Sequence, residues 1–206
     1  MSFDLKEANL SDIEELAEVL DKTYADEPII SQLMPSVDTK DRVEFWAGWF
    51  RNDFSKPGEK MFKMVEAESG KIVAFLKARY PAPKVVDAEE VQAEFPEGSN
   101  AELFGHWFGN MDHFEDKHMN YEEDYFVRVI STLPEYHRKR LGRRLLDRFL
   151  RDADDAGAKT YLQATEVGAG LYPRLGFKDI EDMVTNTPKG PVVWRCMMRE
   201  PNPLKN

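Results

Sequence analysis

Five cationic side chains crowd one short stretch of this sequence. Arg138, Lys139, Arg140, Arg143 and Arg144 follow the run FVRVISTLPEYH and open an amphipathic segment. The β-rich part of that run ends at Leu133-Pro134, so Phe126–Gly142 reads as strand, turn and helix start. The first backbone N–H groups of a helix have no intrahelical partner and point outward, which suits a phosphate. Cations at a helix N-terminus oppose the macrodipole, so their presence predicts an anion at the turn. A solvated basic face is the alternative reading of the same residues.

The segment resembles the central motif of the GNAT superfamily of acyl-CoA-dependent N-acetyltransferases, with the pattern [Q/R]-x-x-G-x-[G/A]. The pattern falls on His137-Arg138-Lys139-Arg140-Leu141-Gly142, where the final glycine matches and Arg140 stands in place of the first. The flanks are closer to the family: Pro134-Glu135-Tyr136, Arg143-Arg144-Leu145-Leu146, Ala153-Asp154, Tyr161-Leu162-Gln163-Ala164-Thr165, Gly168, Leu171-Tyr172 and Gly176-Phe177. In that context the chain is similar to the fungal-type branch, over nearly its whole length and most strongly at 121–177.

The resemblance implies acetyl-CoA as co-substrate, with no metal, and an amine as acceptor. Carried over by position, Ile130, Ser131 and Thr132 meet the pantetheine arm. Arg138, Lys139, Arg140, Leu141, Gly142 and Arg143 cradle the pyrophosphate, and Thr165 lies near the cofactor. Glycine at the position of Arg140 would let backbone approach phosphate closely. An arginine there either obstructs the turn or adds a charge-assisted contact. His137 replaces the family's Gln or Arg and is titratable. Tyr172 falls where many members have a tyrosine that protonates the departing thiolate as general acid. A half-buried ring packed on the sheet is the other reading of Tyr172. Glu122, Glu123, Asp124 and Glu166 are candidate bases for the amine, and the sequence does not choose among them.

Composition narrows the alternatives. A net charge of −10 over 206 residues argues against nucleic-acid or anionic-membrane partners. The single cysteine, Cys196, excludes an internal disulfide and sits in the apolar run Val192–Met198, which predicts a buried structural role. His106, His113 and His118 with Glu115 and Asp116 could suggest a metal, but His113 and His118 are five apart and fall on different helix faces. No apolar stretch spans a bilayer and MSFDLKEANL lacks a signal-peptide core, so the expected location is cytoplasmic. A small or cationic amine is the favoured acceptor, and the oligomeric state is open. The alternative function is a CoA-binding or regulatory protein that has lost turnover.

The elements that must position these residues follow from periodicity. A strand is expected at Phe3-Asp4-Leu5, and Ser11-Asp12-Ile13-Glu14 reads as a capping box before a helix to Tyr24. Pro28 and Pro35 bracket a link, and a second helix at about 42–54 carries an aromatic stripe including Trp46 and Trp49. The stripe reads as core, although in the family this region often borders the acceptor. Met61–Glu66 and Lys71–Ala78 form a hairpin around Glu68-Ser69-Gly70. The stretch 81–120 reads as an insertion, helical in part at Val85–Phe95 and Ala101–Lys117, able to lid or line a site. Then come a strand at Asp124–Thr132, a helix at His137–Ala156 stopped by Gly157, and a strand at Lys159–Ala164. A short helix at Gly168–Leu175 and strands near Phe177–Val184 and Val192–Arg199 close the chain. The order predicts one mixed α/β domain across 1–206. The resemblance makes it an α+β acetyltransferase fold: a twisted, mostly antiparallel mixed sheet with helices on both faces.

Overall fold

The computed structural model describes residues 2–84 and 95–202. Seven strands form one sheet: β1 (Phe3–Glu7), β2 (Glu59–Glu66), β3 (Ile72–Arg79), β4 (Tyr125–Thr132), β5 (Thr160–Ala164), β6 (Lys178–Thr187) and β7 (Gly190–Arg199). Their spatial order is β1-β2-β3-β4-β5-β7-β6, and every neighbouring pair is antiparallel except β4 and β5. The expected mostly antiparallel mixed sheet is therefore present.

Helices α1 (Ile13–Tyr24) and α3 (Thr39–Phe54) pack on each other and on the sheet, as does α5 (Leu141–Asp155). Every residue of β3 is buried, which requires cover on both faces, with α5 on one and α1 and α3 on the other. Leu141, Leu145, Phe149, Leu146, Leu150 and Ala153 supply the buried stripe of α5, the spacing expected of them. Gly157 adopts φ +65° just past the end of that helix, where a left-handed residue closes the last turn.

Several boundaries differ from expectation for local reasons. Asn9, not Ser11, forms the capping box: its side chain accepts from Ser11 N at 2.9 Å, and Asp12 accepts from Asn9 N at 2.8 Å. This box opens a 3-10 turn at Leu10–Asp12 that runs into α1. A short helix, α2 (Ile30–Leu33), lies in the proline-bracketed link, and α3 starts early because Asp38 caps it. Helix α5 begins at Leu141 rather than His137, because Arg138 and Arg140 both adopt left-handed backbone at φ 61°. The short helix expected at Gly168–Leu175 divides into α6 (Glu166–Ala169) and a 3-10 turn at Tyr172–Leu175, with Pro173 inside the first turn of the latter.

In the 81–120 stretch, α4 (Ala101–His118) matches the second expected helix and packs against α2 and β6. The first, at Val85–Phe95, lies outside the described residues apart from Phe95. Cys196 is fully buried, as expected. Among the described residues, no helix is long and apolar enough to cross a membrane.

Candidate active site

The site begins where the parallel pair of the sheet, β4 and β5, comes apart. Strands β4 and β5 pair from Tyr125↔Thr160 to Val127↔Leu162 and then separate. Strand β5 stays with β7 through Ala164, whereas β4 stays with β3 through Thr132. Among the described residues, the β5-facing edge of Arg128–Thr132 therefore has no strand partner. Arg128 marks the separation. In the β3 register Lys77 faces Val129 and Ala78 faces Val127, so Arg128 is the extra residue of a β-bulge, which bends and twists its strand.

Charge holds that bulge. Arg128 Nε donates to Glu59 Oε1 at 2.8 Å, and Glu115 Oε2 lies 3.5 Å from the guanidinium. Lys77, fully buried beside it, pairs with Asp53. Burial opposes the charge on Arg128, but Glu115, Glu59 and Asp53 outweigh it and raise its pKa. Burial lifts the Glu115 carboxyl above its ordinary range despite the pull of Arg128 and Lys77. At Asp53 burial acts upward too, yet Lys77 and Arg128 prevail and lower it.

Beyond the free edge, the chain turns through Pro134–Tyr136 into the cationic segment. His137 Nε2 donates to the Thr132 carbonyl at 2.9 Å, closing the strand end. Arg138 and Arg140 at φ 61° each carry a cost of about 1 kcal/mol relative to right-handed backbone. Left-handed residues in a turn gather successive N–H groups into a concave nest suited to anions. The side chains of Arg138, Lys139 and Arg140 are exposed, and the Lys139 ammonium sits 4.4 Å above the Tyr136 ring. Arg143 pairs with Asp147 at 2.6 Å, and Arg144 donates to the Phe3 carbonyl at 3.0 Å. Leu141 points into the core, so only its backbone is available at the turn. Gly142 rests on β4: a Cβ there would lie 3.4 Å from Ile130 Cδ1 and 3.7 Å from Thr132 Oγ1. Strand edge, turn and helix start are thus contiguous, although the Ser131 hydroxyl is buried without a hydrogen-bond partner.

A cavity of about 110 Å³ opens from the parted strands. Val127–Ile130 of β4 form one side, and Gln163, Thr165, Gly168 and Tyr172 face them. Leu20 and Tyr24 of α1 with Trp46 and Trp49 of α3 supply a third wall. Trp107 and Met111 of α4 and Trp194 of β7 complete it. The expected insertion thereby contributes directly to the lining.

Of the catalytic and cofactor candidates singled out in the sequence, Ile130, Thr165 and Tyr172 line this cavity, as do Trp46 and Trp49 of the expected aromatic stripe. Thr165 caps α6, its hydroxyl accepting from Gly168 N at 3.1 Å. Tyr172 is 6% exposed, and burial pushes its phenol up to about 12. It packs edge-on against Phe177 with ring centroids 5.7 Å apart. Gly168 lies against the same ring: a Cβ there would stand 3.9 Å from the Tyr172 hydroxyl. Tyr172 thus packs on the fold, as its second reading expects, and also lines the cavity.

The carboxylates separate by position. Glu122, Glu123 and Asp124 precede β4 at its paired end, about 13 Å of strand from Arg128 to Asp124. Asp124 there accepts from Asn120 N at 2.8 Å. Glu166 stands at the start of α6. Glu27, absent from the sequence-based candidates, shares its field: burial raises the Glu27 carboxyl and Glu166 raises it further, while the Trp194 indole draws it back. That indole N–H is buried and, in this arrangement, outside hydrogen-bond geometry. Tyr24 completes the group. Its hydroxyl donates to the Ile130 carbonyl at 3.4 Å, and burial, with Tyr172 and Glu27 nearby, raises its pKa. A lone Glu between Asp26 and Pro28 carries no periodic signal, so only the folded chain reveals it.

Solved structures share this architecture. A Corynebacterium glutamicum protein described as histone acetyltransferase HPA2 and related acetyltransferase superposes with a TM-score of 0.68 at 18% identity, over 100% of both chains. The polyamine N-acetyltransferase of Drosophila melanogaster gives 0.65 at 17% identity, over 97% of this chain and 100% of that one. The PaiA N-acetyltransferase of Thermoplasma acidophilum, in complex with coenzyme A, gives 0.53 at 14%, over 97% and 99%. At these identities the likeness establishes the fold, and none of the three singles out the fungal-type branch. No curated protein sequence matches the chain. Residues 108–179, from α4 through the parted strands to the start of β6, match the family model of the acetyltransferase (GNAT) domain, set in a chain that has the GNAT fold from end to end.

Proposed function

We propose that this protein is an N-acetyltransferase that moves the acetyl group of acetyl-CoA to a small-molecule amine by direct attack in a ternary complex. The observation that carries the reading is the continuity of three features. A free strand edge at Arg128–Thr132 leads into a left-handed cationic turn, and a buried Tyr172 faces that edge across the cavity. An amide-bearing pantetheine arm suits the free edge, and a pyrophosphate suits the turn with its exposed Arg138, Lys139 and Arg140. The acetyl thioester is the chemistry acetyl-CoA supplies when bound.

In this reading the chain holds and moves protons around that thioester. The amine nitrogen attacks the thioester carbonyl carbon, a C–N bond forms and the C–S bond breaks. Tyr172, kept protonated by burial, donates its proton to the departing sulfur. Glu27, kept more basic by burial and by Glu166, takes the proton the amine must lose. The products are an amide and free CoA thiol, with one proton lost from nitrogen and one gained by sulfur.

The same reading places the whole of 1–206 in one cytoplasmic domain, with 81–120 inserted to line the acceptor side, and keeps the fungal-type likeness as its lineage. The competing view, a CoA-binding protein without turnover, rested on Arg140 at the motif glycine. Arg140 at φ 61° supports a turn that keeps the glycine conformation despite its side chain. The test is release of CoA thiol from acetyl-CoA across a panel of amines. Acceptor-dependent release is expected; CoA binding with no release to any amine would favour the inactive alternative.

A further inference from the structure

All four tryptophans of the chain line the one cavity at the parted strands: Trp46, Trp49, Trp107 and Trp194. From this wall we infer the acceptor class, building on the acetyl-transfer reading: a primary amine on a short chain that carries a single flat apolar ring, in preference to a linear polyamine.

Shape argues first. Trp107 meets Trp194 edge-on, with centroids 5.6 Å apart and planes at 83°. Trp46 and Trp49 stand 5.8 Å apart at 57°. These rings have few rotamers and are held by one another, so they present fixed plates rather than an adaptable surface. The space of about 110 Å³ is somewhat less than the roughly 150 Å³ of an apolar cavity that admits benzene. A group held wholly within it can therefore be no larger than a single ring.

Charge argues second. Among the described residues no carboxylate lines the cavity, and the only charged lining residue is Arg128. The guanidinium is already bonded to Glu59, with Glu115 beside it. A second ammonium carried past the reacting nitrogen would meet this cation and no counterion, and an unpaired buried charge is strongly disfavoured. Glu27 and Glu166 lie outside that lining.

One indole of the wall already faces a cation of the chain itself. The Lys77 ammonium sits 4.0 Å from the Trp49 ring centroid, so an internal cation already occupies that ring. Two buried polar atoms of the lining residues have no partner, Trp194 Nε1 and Gln163 Oε1. Gln163 is oriented by its Nε2, which donates to the Met111 carbonyl at 3.0 Å.

The experiment uses the full chain saturated with CoA and titrates 2-phenylethylamine and spermidine separately. Binding is followed by tryptophan fluorescence, and acetyl transfer is measured in parallel with acetyl-CoA. The expected result is a kcat/KM for phenylethylamine about 100-fold above that for spermidine, with quenching by the aromatic amine at lower concentration. Trp107→Leu should narrow that gap about tenfold, and Met111→Ala should improve a two-ring amine such as tryptamine. Spermidine binding as tightly, or reacting as fast, would overturn the assignment. If no amine is acetylated, the acetyl-transfer reading fails by itself. The fluorescence titrations then decide the cavity's preference on the same criterion.

Discussion

Arg128 and Glu59 meet at 2.8 Å where the β3–β4 register skips a residue, between Val127 and Val129. The strand bulges there, and one residue earlier its pairing with β5 ends. A bulge needs something to hold its extra residue, and here an ion pair supplies it. Removing the cation leaves Glu59 and Glu115 buried without it, while Asp53 keeps Lys77 and Lys56. Arg128→Met should therefore lower unfolding free energy by about 3 kcal/mol, measured by urea titration. An unchanged midpoint would mean that the bulge is held by backbone alone.

Tyr172 is the proton donor in the proposed reaction, and its neighbours fix it independently of any cofactor contact. Tyr172→Phe keeps the ring packing and removes only the hydroxyl. Turnover should fall about 100-fold with acetyl-CoA affinity nearly unchanged. Equal turnover in the mutant would remove the acid role.

In the proposed reaction, Glu27 as base implies a pH dependence with a definite sign. A base must be deprotonated to act, and burial and Glu166 raise this carboxyl above its usual range. Activity should accordingly decline as pH falls through that raised pKa, earlier than for an exposed glutamate. Glu27→Gln should lower kcat/KM and flatten this acid limb in a pH–rate profile. A limb that persists in the mutant would assign it to another group, Glu166 first.

Arg140 tests the turn. Its φ of 61° suits glycine better than arginine, and its side chain is exposed. Arg140→Gly should stabilise the fold by about 1 kcal/mol in thermal or urea unfolding, whereas Arg140→Ala should not. Comparing acetyl-CoA affinity of the two variants isolates the guanidinium: an equal loss in both assigns it a phosphate contact.

Much of this arrangement can be read from the residues alone, and the exceptions have local causes. The buried stripe of α5 and the hairpin β2–β3 follow from periodicity and a turn signal, which are local properties. The late start of α5 could not be read, because nothing in His137-Arg138-Lys139-Arg140 distinguishes helical from left-handed backbone. Pro173 foretold the broken helix before β6, but not where the break would fall. At the site, the turn and Tyr172 were visible through motif context. Glu27, Tyr24 and the gathering of four tryptophans were not, since they come from α1, its following link, α3, α4 and β7, and only tertiary packing brings them together. The paired end of β4 likewise removes Glu122, Glu123 and Asp124 from the parted strands, a distance that chain proximity to β4 conceals.

The most direct test of the central claim is a calorimetric titration of the protein with acetyl-CoA, with CoA as comparison. One saturable site in the micromolar range, roughly −8 kcal/mol, is the predicted result. No detectable binding of either ligand would contradict the account, because the free β4 edge and the left-handed turn would then serve no CoA.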